Sequence, residues 1–139
     1  MLKLGCFKRF LSTKRPESGM LRRYLIDKYK SNRIDCHCSM CLQMYPLSLL
    51  ETAHLKPRCK IDISDIKDVN NVEFMCKICH NLYDNGYISV DINKNIAMNN
   101  CIIKYKHLMI ITRIGKLYEQ YNIYNSNNLI WHYNNVFRK

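Results

Sequence analysis

The sequence predicts a small α+β domain, and three observations lead to this fold class. The chain has 139 residues, which fits one compact domain of ordinary size. Short segments that alternate between apolar and polar residues are followed by a segment with helical spacing. Two pairs of cysteines at C-x-x-C spacing flank the central part of the chain. We therefore expect a small core braced through these cysteines, with flanking helices and a C-terminal extension.

The charge of the chain is concentrated at its two ends. There are 22 Lys and Arg against 11 Asp and Glu, and the net charge is +7 in residues 1–35, −1 in residues 36–100 and +5 in residues 101–139. Basic side chains that neutralise phosphates release condensed counterions, so two basic flanks favour a nucleic acid, DNA first, as the partner. A solvated basic surface that only keeps the protein soluble is the alternative explanation of the charge.

The cysteine content bears on the cellular compartment. Eight cysteines would suggest disulfides in a secreted chain, but Lys3, Lys8 and Arg9 interrupt any apolar signal core. We therefore expect an intracellular, reducing compartment and metal-binding thiols. An Arg-rich transit peptide is the alternative for the first residues. No apolar run approaches the length that spans a bilayer, so no membrane helix is expected.

The N-terminal segment, residues 1–35, is predicted to contain a basic amphipathic helix from Gly19 to Asn32. Its apolar residues recur at intervals of three and four, which is the helical period, and basic residues lie between them. Arg22 and Arg23 on this helix are candidate contacts to nucleic-acid phosphates.

The central segment, residues 36–95, is predicted to hold two strands, a helix and a second hairpin. Pro57 ends the first strand because its ring disfavours a helical residue before it, and Gly86 permits a left-handed end to the helix. The expected elements are a strand at 46–54, a polar loop at 58–70, a strand at 71–75, a helix at 76–84, a strand at 87–92 and a return strand from residue 96.

The C-terminal segment, residues 96–139, is expected to pack on this core. Its pattern between residues 108 and 121 is compatible with either strand or helix. A short helix at 129–137 is predicted to present Trp131 and Phe137 to the core.

The two cysteine pairs predict a closed metal site. Two thiolates at C-x-x-C spacing reach adjacent corners of a metal tetrahedron, and two such pairs leave no open position for a substrate. A structural Zn²⁺ is therefore expected at Cys38, Cys41, Cys76 and Cys79. Cys36 or His37 could replace Cys38 as a ligand, and buried free thiols are the alternative reading.

Three further residues stand in a characteristic order. His54 ends the first predicted strand, Asn71 opens the next, and His80 follows nine residues later at the start of the helix. This arrangement resembles the HNH endonucleases of the ββα-metal fold. The resemblance covers about residues 36–92 and includes A-H-L-x-P, N-x-x-x-x-C-x-x-C-H and L-Y-D-x-G-Y-I-S. The late segment LIWHYNNVF is similar to the tail of HNH proteins related to restriction enzymes.

The resemblance implies hydrolysis of a phosphodiester with one divalent ion, Mg²⁺ or Mn²⁺. His54 would be the general base, which must be neutral near pH 7. Asn71 would fix the geometry of the hairpin, and His80 would hold the ion. Lys56 and Arg58, just past the base, would contact phosphates.

The second ligand of the ion is less directly indicated. Many HNH enzymes have a metal ligand just before the base, but Ala53 stands there and cannot bind an ion. Asp84, at i+4 from His80, is the first choice for the oxygen ligand. Glu51 is the second choice for this ligand. Side chains alternate between the two faces of a strand, so Glu51 shares a face with Ala53 and His54 points to the other face.

The expected function is therefore that of a metal-dependent DNA endonuclease. A zinc-stabilised nucleic-acid-binding module that has lost turnover is the main alternative, and Ala53 is the feature that favours it. A zinc protein that binds other proteins is a third, which leaves the basic N-terminal segment unexplained. Cutting both strands with one site per chain would require a homodimer.

Overall fold

The structure is a computed structural model that describes residues 15–29, 34–105, 107 and 112–139. The remaining residues, including 30–32 of the predicted first helix and 108–111 of the ambiguous segment, lie outside the described residues. The described helices are α1 (Ser18–Lys28), α2 (Lys77–Asp84) and α3 (Ser126–Asn135). The described strands are β1 (Asp35–His37), β2 (Met44–Pro46), β3 (Leu50–His54), β4 (Val72–Cys76), β5 (Ile88–Val90) and β6 (Ile96–Met98).

The strands form three antiparallel pairs, β1 with β2, β3 with β4 and β5 with β6. In the central pair Leu50 lies opposite Cys76 and His54 lies opposite Val72. The long connection between these two strands contains three short 3₁₀ turns, at Arg58–Lys60, Ile63–Asp65 and Val69–Asn71. The predicted loop is therefore more ordered than its polar composition suggests.

Helix α2 follows β4 without a linker and packs back against β3. Its first turn is capped by Cys76, whose Sγ accepts a hydrogen bond from the backbone N–H of Cys79 at 3.5 Å. It ends before Gly86, whose φ of +77° belongs to the left-handed region. Two strands and a helix in this order confirm the predicted α+β class with a ββα core.

The core lies between the β3–β4 hairpin and the helices. Its largest fully buried side chains are Tyr83, Tyr118, Phe74, Leu21, Leu25, Met40, Leu55, Met75, Ile88, Ile96 and Leu129. This set draws on the N-terminal, central and C-terminal parts of the chain, so the three segments share one hydrophobic core.

Helix α1 confirms the predicted amphipathic helix over the described part of that range. Leu21 and Leu25 are buried, and the helix packs on β3 and β4. Polar contacts also hold it there: Lys28 Nζ and the Tyr29 hydroxyl donate to the buried carboxylate of Glu73 at 2.9 and 2.5 Å. Because buried carboxylates need such partners, this contact fixes how the helix sits on the hairpin.

Helix α3 forms where a helix is predicted, but the prediction that Trp131 and Phe137 face the core was wrong. Both are only half-buried, whereas Leu129 and His132 are buried. The imidazole of His132 stacks on Tyr83 with ring centroids 3.6 Å apart, and its Nε2 donates to the Tyr83 carbonyl at 2.8 Å. The other ring nitrogen of His132, Nδ1, lies 2.7 Å from Ser89 Oγ. Because both ring nitrogens have hydrogen-bond partners, a histidine can occupy this core position.

Within the part of the chain that the structure describes, the helices are too short or too polar to span a bilayer.

Candidate active site

His54 is the last residue of β3, at the end of the β3–β4 hairpin where the long connection between the two strands begins. Its Nε2 is buried and has no hydrogen-bond partner among the described residues. A buried polar atom without a partner costs free energy, so such atoms are rare outside sites that bind something. The orphaned nitrogen therefore marks the end of β3 as the floor of a candidate site.

Asn71 holds the chain directly after His54. Its side chain accepts a hydrogen bond from Lys56 N at 2.8 Å and donates to Lys56 O at 3.0 Å, so it pairs with that backbone unit on both sides. Its own carbonyl accepts from Leu55 N at 2.8 Å, and the hydroxyl of Tyr83 donates to Leu55 O at 2.7 Å. The backbone that follows His54 is thereby fixed from two elements.

His80 lies in α2 between two carboxylates. Glu51 Oε1 of β3 is 2.7 Å from its Nδ1, and Asp84 Oδ2, one helical turn along, is 3.1 Å from its Nε2. Burial alone would lower the pKa of His80, but hydrogen bonds and charge from Asp84 and Glu51 outweigh it and raise that pKa to about 9. The ring is therefore protonated at neutral pH and donates from both nitrogens.

Asp84 connects the two histidines. Besides contacting His80, its negative charge acts on His54, where it favours the protonated ring. That His54 and His80 serve one cleft stays a prediction. Strict strand alternation separates Glu51 from His54, and Glu51 instead contacts His80.

His54 lies within range of several charges whose grouping the sequence did not reveal. Burial, followed by the positive charges of Arg15 and Arg58, lowers the pKa of His54 to about 4. Glu17 opposes them, and its Oε1 lies 2.6 Å from Arg58 Nε in a buried ion pair. Glu17 and Arg58 are 41 positions apart, so no spacing or periodicity could have linked them.

The four predicted zinc ligands come together. The sulfur atoms of Cys38, Cys41, Cys76 and Cys79 all lie within 4.8 Å of one another, and all four residues are buried. They fit a structural Zn²⁺, because four thiolates are a preferred tetrahedral donor set for that ion. Among the described residues this is the one group of three or more potential metal ligands so close together, and it contains neither Cys36 nor His37.

The predicted phosphate contacts lie in different environments. Arg23 is exposed on α1, whereas Arg22 donates to the carbonyls of Leu50 and Leu47 at 2.8 and 2.5 Å and so braces the hairpin. Lys56 is half-buried, with its Nζ 5.2 Å from the centre of the Trp131 ring. Arg58 is buried beside His54, as described above. Binding of DNA by these four residues stays a prediction.

The fold and the four-cysteine cluster agree with one family comparison. Residues 36–91 match the family model described as HNH endonuclease. The resemblance seen in the sequence is confirmed over this segment, which contains the β3–β4 hairpin, α2 and the four cysteines. No curated protein matches the chain.

Proposed function

We propose that this protein is a metal-dependent DNA endonuclease that hydrolyses phosphodiester bonds. The observation that supports the proposal most strongly is the match of residues 36–91, which contain a ββα unit carrying His54, Asn71 and His80, to the HNH endonuclease family model. In this proposal the neutral imidazole of His54 and the carboxylate-bound imidazole of His80 face one cleft and serve a single phosphorus atom in two different roles.

His54 is the proposed general base. Its low pKa keeps the ring neutral at physiological pH, and its buried Nε2 is available to accept a proton from a water molecule. Asn71 positions this base by holding the backbone of Lys56, two residues further on. Attack by that water on the phosphorus would leave a 5′-phosphate and a 3′-hydroxyl.

His80 and Asp84 are the residues that would hold the divalent ion, Mg²⁺ or Mn²⁺. They would offer the ion Nε2 of His80, after it gives up its proton, and the Asp84 carboxylate oxygen that lies 3.1 Å from it. When bound, the ion supplies electrostatic stabilisation of the charge that develops on the phosphate and the leaving oxygen. Glu51 orients His80 by accepting from Nδ1, since metal-binding histidines commonly donate their other N–H to a carboxylate.

The remaining parts of the proposal concern stability and substrate. The four cysteines would hold a structural Zn²⁺ that ties the segment before β2 to the start of α2. The basic flanks would contact the DNA backbone, with Arg23 and Lys56 as individual contacts.

Plasmid nicking tests the proposal. Supercoiled DNA incubated with the parent protein should convert to nicked or linear forms when Mg²⁺ or Mn²⁺ is added, and not without it. The His54→Ala variant should lose this activity while keeping its zinc content and its unfolding temperature. His37→Ala, which removes an exposed imidazole, is the matched control and should cut like the parent. Equal cutting by His54→Ala would refute the role of the base.

A second candidate function is that of a DNA-binding module without turnover. Ala53 favours it, because this fully buried residue offers no ligand to an ion. If the parent protein retards DNA in a salt-dependent manner but never nicks it with either ion, this alternative is correct and the endonuclease proposal fails.

A further inference from the structure

Trp131 is the one tryptophan of the chain, and it lies half-buried on α3. The core positions of this helix are taken by Leu129 and His132, which are buried. An indole combines a large apolar face with an N–H group, so tryptophan is enriched where a protein meets a partner. Trp131 is therefore a candidate for contact with a molecule outside the chain.

Lys56 connects this ring to the candidate active site. Its Nζ lies over the Trp131 ring, 5.2 Å from the centroid. Lys56 follows His54, the last residue of β3, by two positions. Asn71 holds the backbone N–H and C=O of Lys56 at 2.8 and 3.0 Å. The indole therefore lies against the segment directly after the proposed base.

The contact between Lys56 and Trp131 is one that a nucleotide can replace. A cation is attracted to the face of an indole, and the same face stacks on nucleobases. The lysine side chain is flexible and ends in a point charge that suits a phosphate. Trp131 also belongs to a basic part of the chain, since residues 101–139 carry a net charge of +5. A nucleotide is a partner that supplies both an aromatic face for the indole and an anion for the ammonium group.

A polar cavity of about 120 Å³ lies next to this contact. Lys56 and Asn128 both line it, and Asn128 precedes Trp131 by three positions, so the two share one side of α3. The amide of Asn128 can both donate and accept hydrogen bonds, as the edges of nucleobases do. A base that stacks on Trp131 therefore has room for its edge beside a polar group.

We propose that Trp131 and Lys56 form a subsite for one unpaired nucleotide of the DNA substrate. The base of this nucleotide takes the face of the indole, and the ammonium group of Lys56 moves from the ring to the phosphate. This inference rests on the proposed function, and it names the substrate class as DNA with an unpaired nucleotide close to the cleaved bond. The indole lies on α3, beyond the segment that matches the family model.

The subsite discriminates against fully paired DNA for a physical reason. A base inside a duplex already stacks on its neighbours, so its face is covered until the base leaves the stack. Unstacking costs least where the base is mismatched or single-stranded. The indole therefore favours DNA that is locally unpaired, while the basic flanks bind the phosphates of either form.

Intrinsic fluorescence tests the stacking directly, because Trp131 is the one tryptophan in the sequence. The parent protein is titrated with a short single-stranded oligonucleotide, with zinc present and no other divalent ion. Stacking on a base should remove most of the indole emission at saturation. An abasic oligonucleotide of the same length keeps the phosphates without the bases, so it should bind and leave the emission nearly unchanged. Equal loss of emission with the two strands would overturn the stacking role.

Anisotropy of a labelled single strand measures the affinity of variants under the same conditions. Trp131→Leu should weaken binding about 10- to 100-fold, the loss expected for one stacked base, whereas Trp131→Phe should keep most of the affinity. Lys56→Gln should lower the slope of log affinity against log salt by about 0.7, the contribution of one phosphate contact on a single strand.

Tyr124→Leu is the control for these variants, because it removes a more exposed aromatic ring, 73% accessible, just before α3. Its affinity for the single strand should equal that of the parent. Parental affinity in Trp131→Leu would refute the subsite. Thermal unfolding checks that each variant folds, and the fluorescence titration of the parent decides the outcome if Trp131→Leu does not fold.

Cleavage with Mg²⁺ distinguishes this inference from the endonuclease proposal. A duplex that contains an unpaired loop should be cut with a kcat/KM about 10-fold above that of the fully paired duplex, and Trp131→Leu should lose this preference. If the parent cuts neither duplex but only the strand with bases quenches Trp131, the endonuclease proposal fails and the subsite stands as a DNA-binding site. If the parent cuts both duplexes equally and Trp131→Leu binds single strands like the parent, the subsite is refuted and the endonuclease proposal stands.

Discussion

Glu51 Oε1 lies 2.7 Å from His80 Nδ1 and so joins strand β3 to helix α2 across the cleft. Removing the charge while keeping the shape replaces a charge-assisted hydrogen bond with a weaker neutral one, so His80 should be held less firmly and should bind an ion more weakly. We expect the Glu51→Gln variant to need about 10- to 100-fold more Mg²⁺ for half-maximal plasmid nicking. Asp62→Asn, at an exposed carboxylate of the β3–β4 connection, is the control and should leave this requirement unchanged. An unaltered Mg²⁺ requirement in Glu51→Gln would contradict the orienting role.

Asn71→Ala should destabilise the protein and impair nicking together. The substitution leaves the N–H and the C=O of Lys56 without their partner, which should lower the free energy of unfolding by about 2 kcal/mol. Urea unfolding measures this loss. The half-buried neighbour Asn70 provides the control, since Asn70→Ala should change stability by no more than about 0.5 kcal/mol. Equal stabilities of the two variants would show that the contact with Lys56 is dispensable.

Replacement of one clustered thiol should release the structural ion. Cys76→Ser is expected to lose most of its zinc, measured by elemental analysis, and to unfold at a markedly lower temperature. Cys101→Ser alters an exposed cysteine outside the cluster and should retain both zinc and the parental unfolding temperature. Full zinc content in Cys76→Ser would mean that the ion is bound elsewhere.

Stability should be greatest near pH 6.5. The pKa of His80 is raised from 6.5 to about 9, so its contribution is complete below pH 6.5 and is lost as the pH rises through 9. The pKa values of His54 and His132 are lowered from 6.5 to about 4, so the unfolded chain binds more protons and stability falls between pH 6.5 and 4.

Urea unfolding across this pH range, with zinc present and no other divalent ion, measures the free energy of unfolding at each pH. His80→Gln should reduce the loss of stability above pH 6.5. His54→Gln should reduce the loss of stability below pH 6.5. If His80→Gln instead keeps the loss of stability above pH 6.5, other groups cause it.

Two glycines should respond to alanine in opposite ways. A Cβ at Gly86 would lie 2.2 Å from the Val136 carbonyl oxygen, and the φ of +77° already disfavours alanine, so Gly86→Ala should destabilise by more than about 1 kcal/mol. Gly19 lies in α1 with nothing within 4 Å of the added atom, so Gly19→Ala should be neutral or stabilising. Thermal unfolding compares them, and equal effects would disprove the close approach at Gly86.

The sequence predicted those parts of the fold that depend on short-range order. The sequence of His54, Asn71 and His80, together with the cysteine spacing, predicted the hairpin, α2 and the sulfur cluster, because strands, turns and metal pairs impose local spacings. The inward face of α3 was predicted wrongly. Aromatic size favoured Trp131 as the core residue, but His132 is buried because Tyr83 and Ser89 satisfy both of its nitrogens.

The charged surroundings of the candidate site could not be predicted in the same way. Glu17 and Arg58 meet only after α1 has packed on the hairpin. Glu51 was named from the sequence as the second-choice ligand of the ion, but its contact with Nδ1 of His80 forms only when α2 folds back on β3. Contacts of this kind depend on tertiary packing, which leaves no period in the sequence. The acidic neighbour of His80 within its own helix, Asp84, could be predicted because it lies one turn away.

Cys76 ends β4, caps the first turn of α2 and supplies one of the four clustered sulfurs. The angle at which the helix leaves the strand is therefore set at a single residue. His54 lies in the β3–β4 hairpin and His80 lies in α2. A change in the geometry of the sulfur cluster would therefore change the distance between the two imidazoles. Occupancy of a buried structural centre would in this way govern the alignment of a separate reactive one.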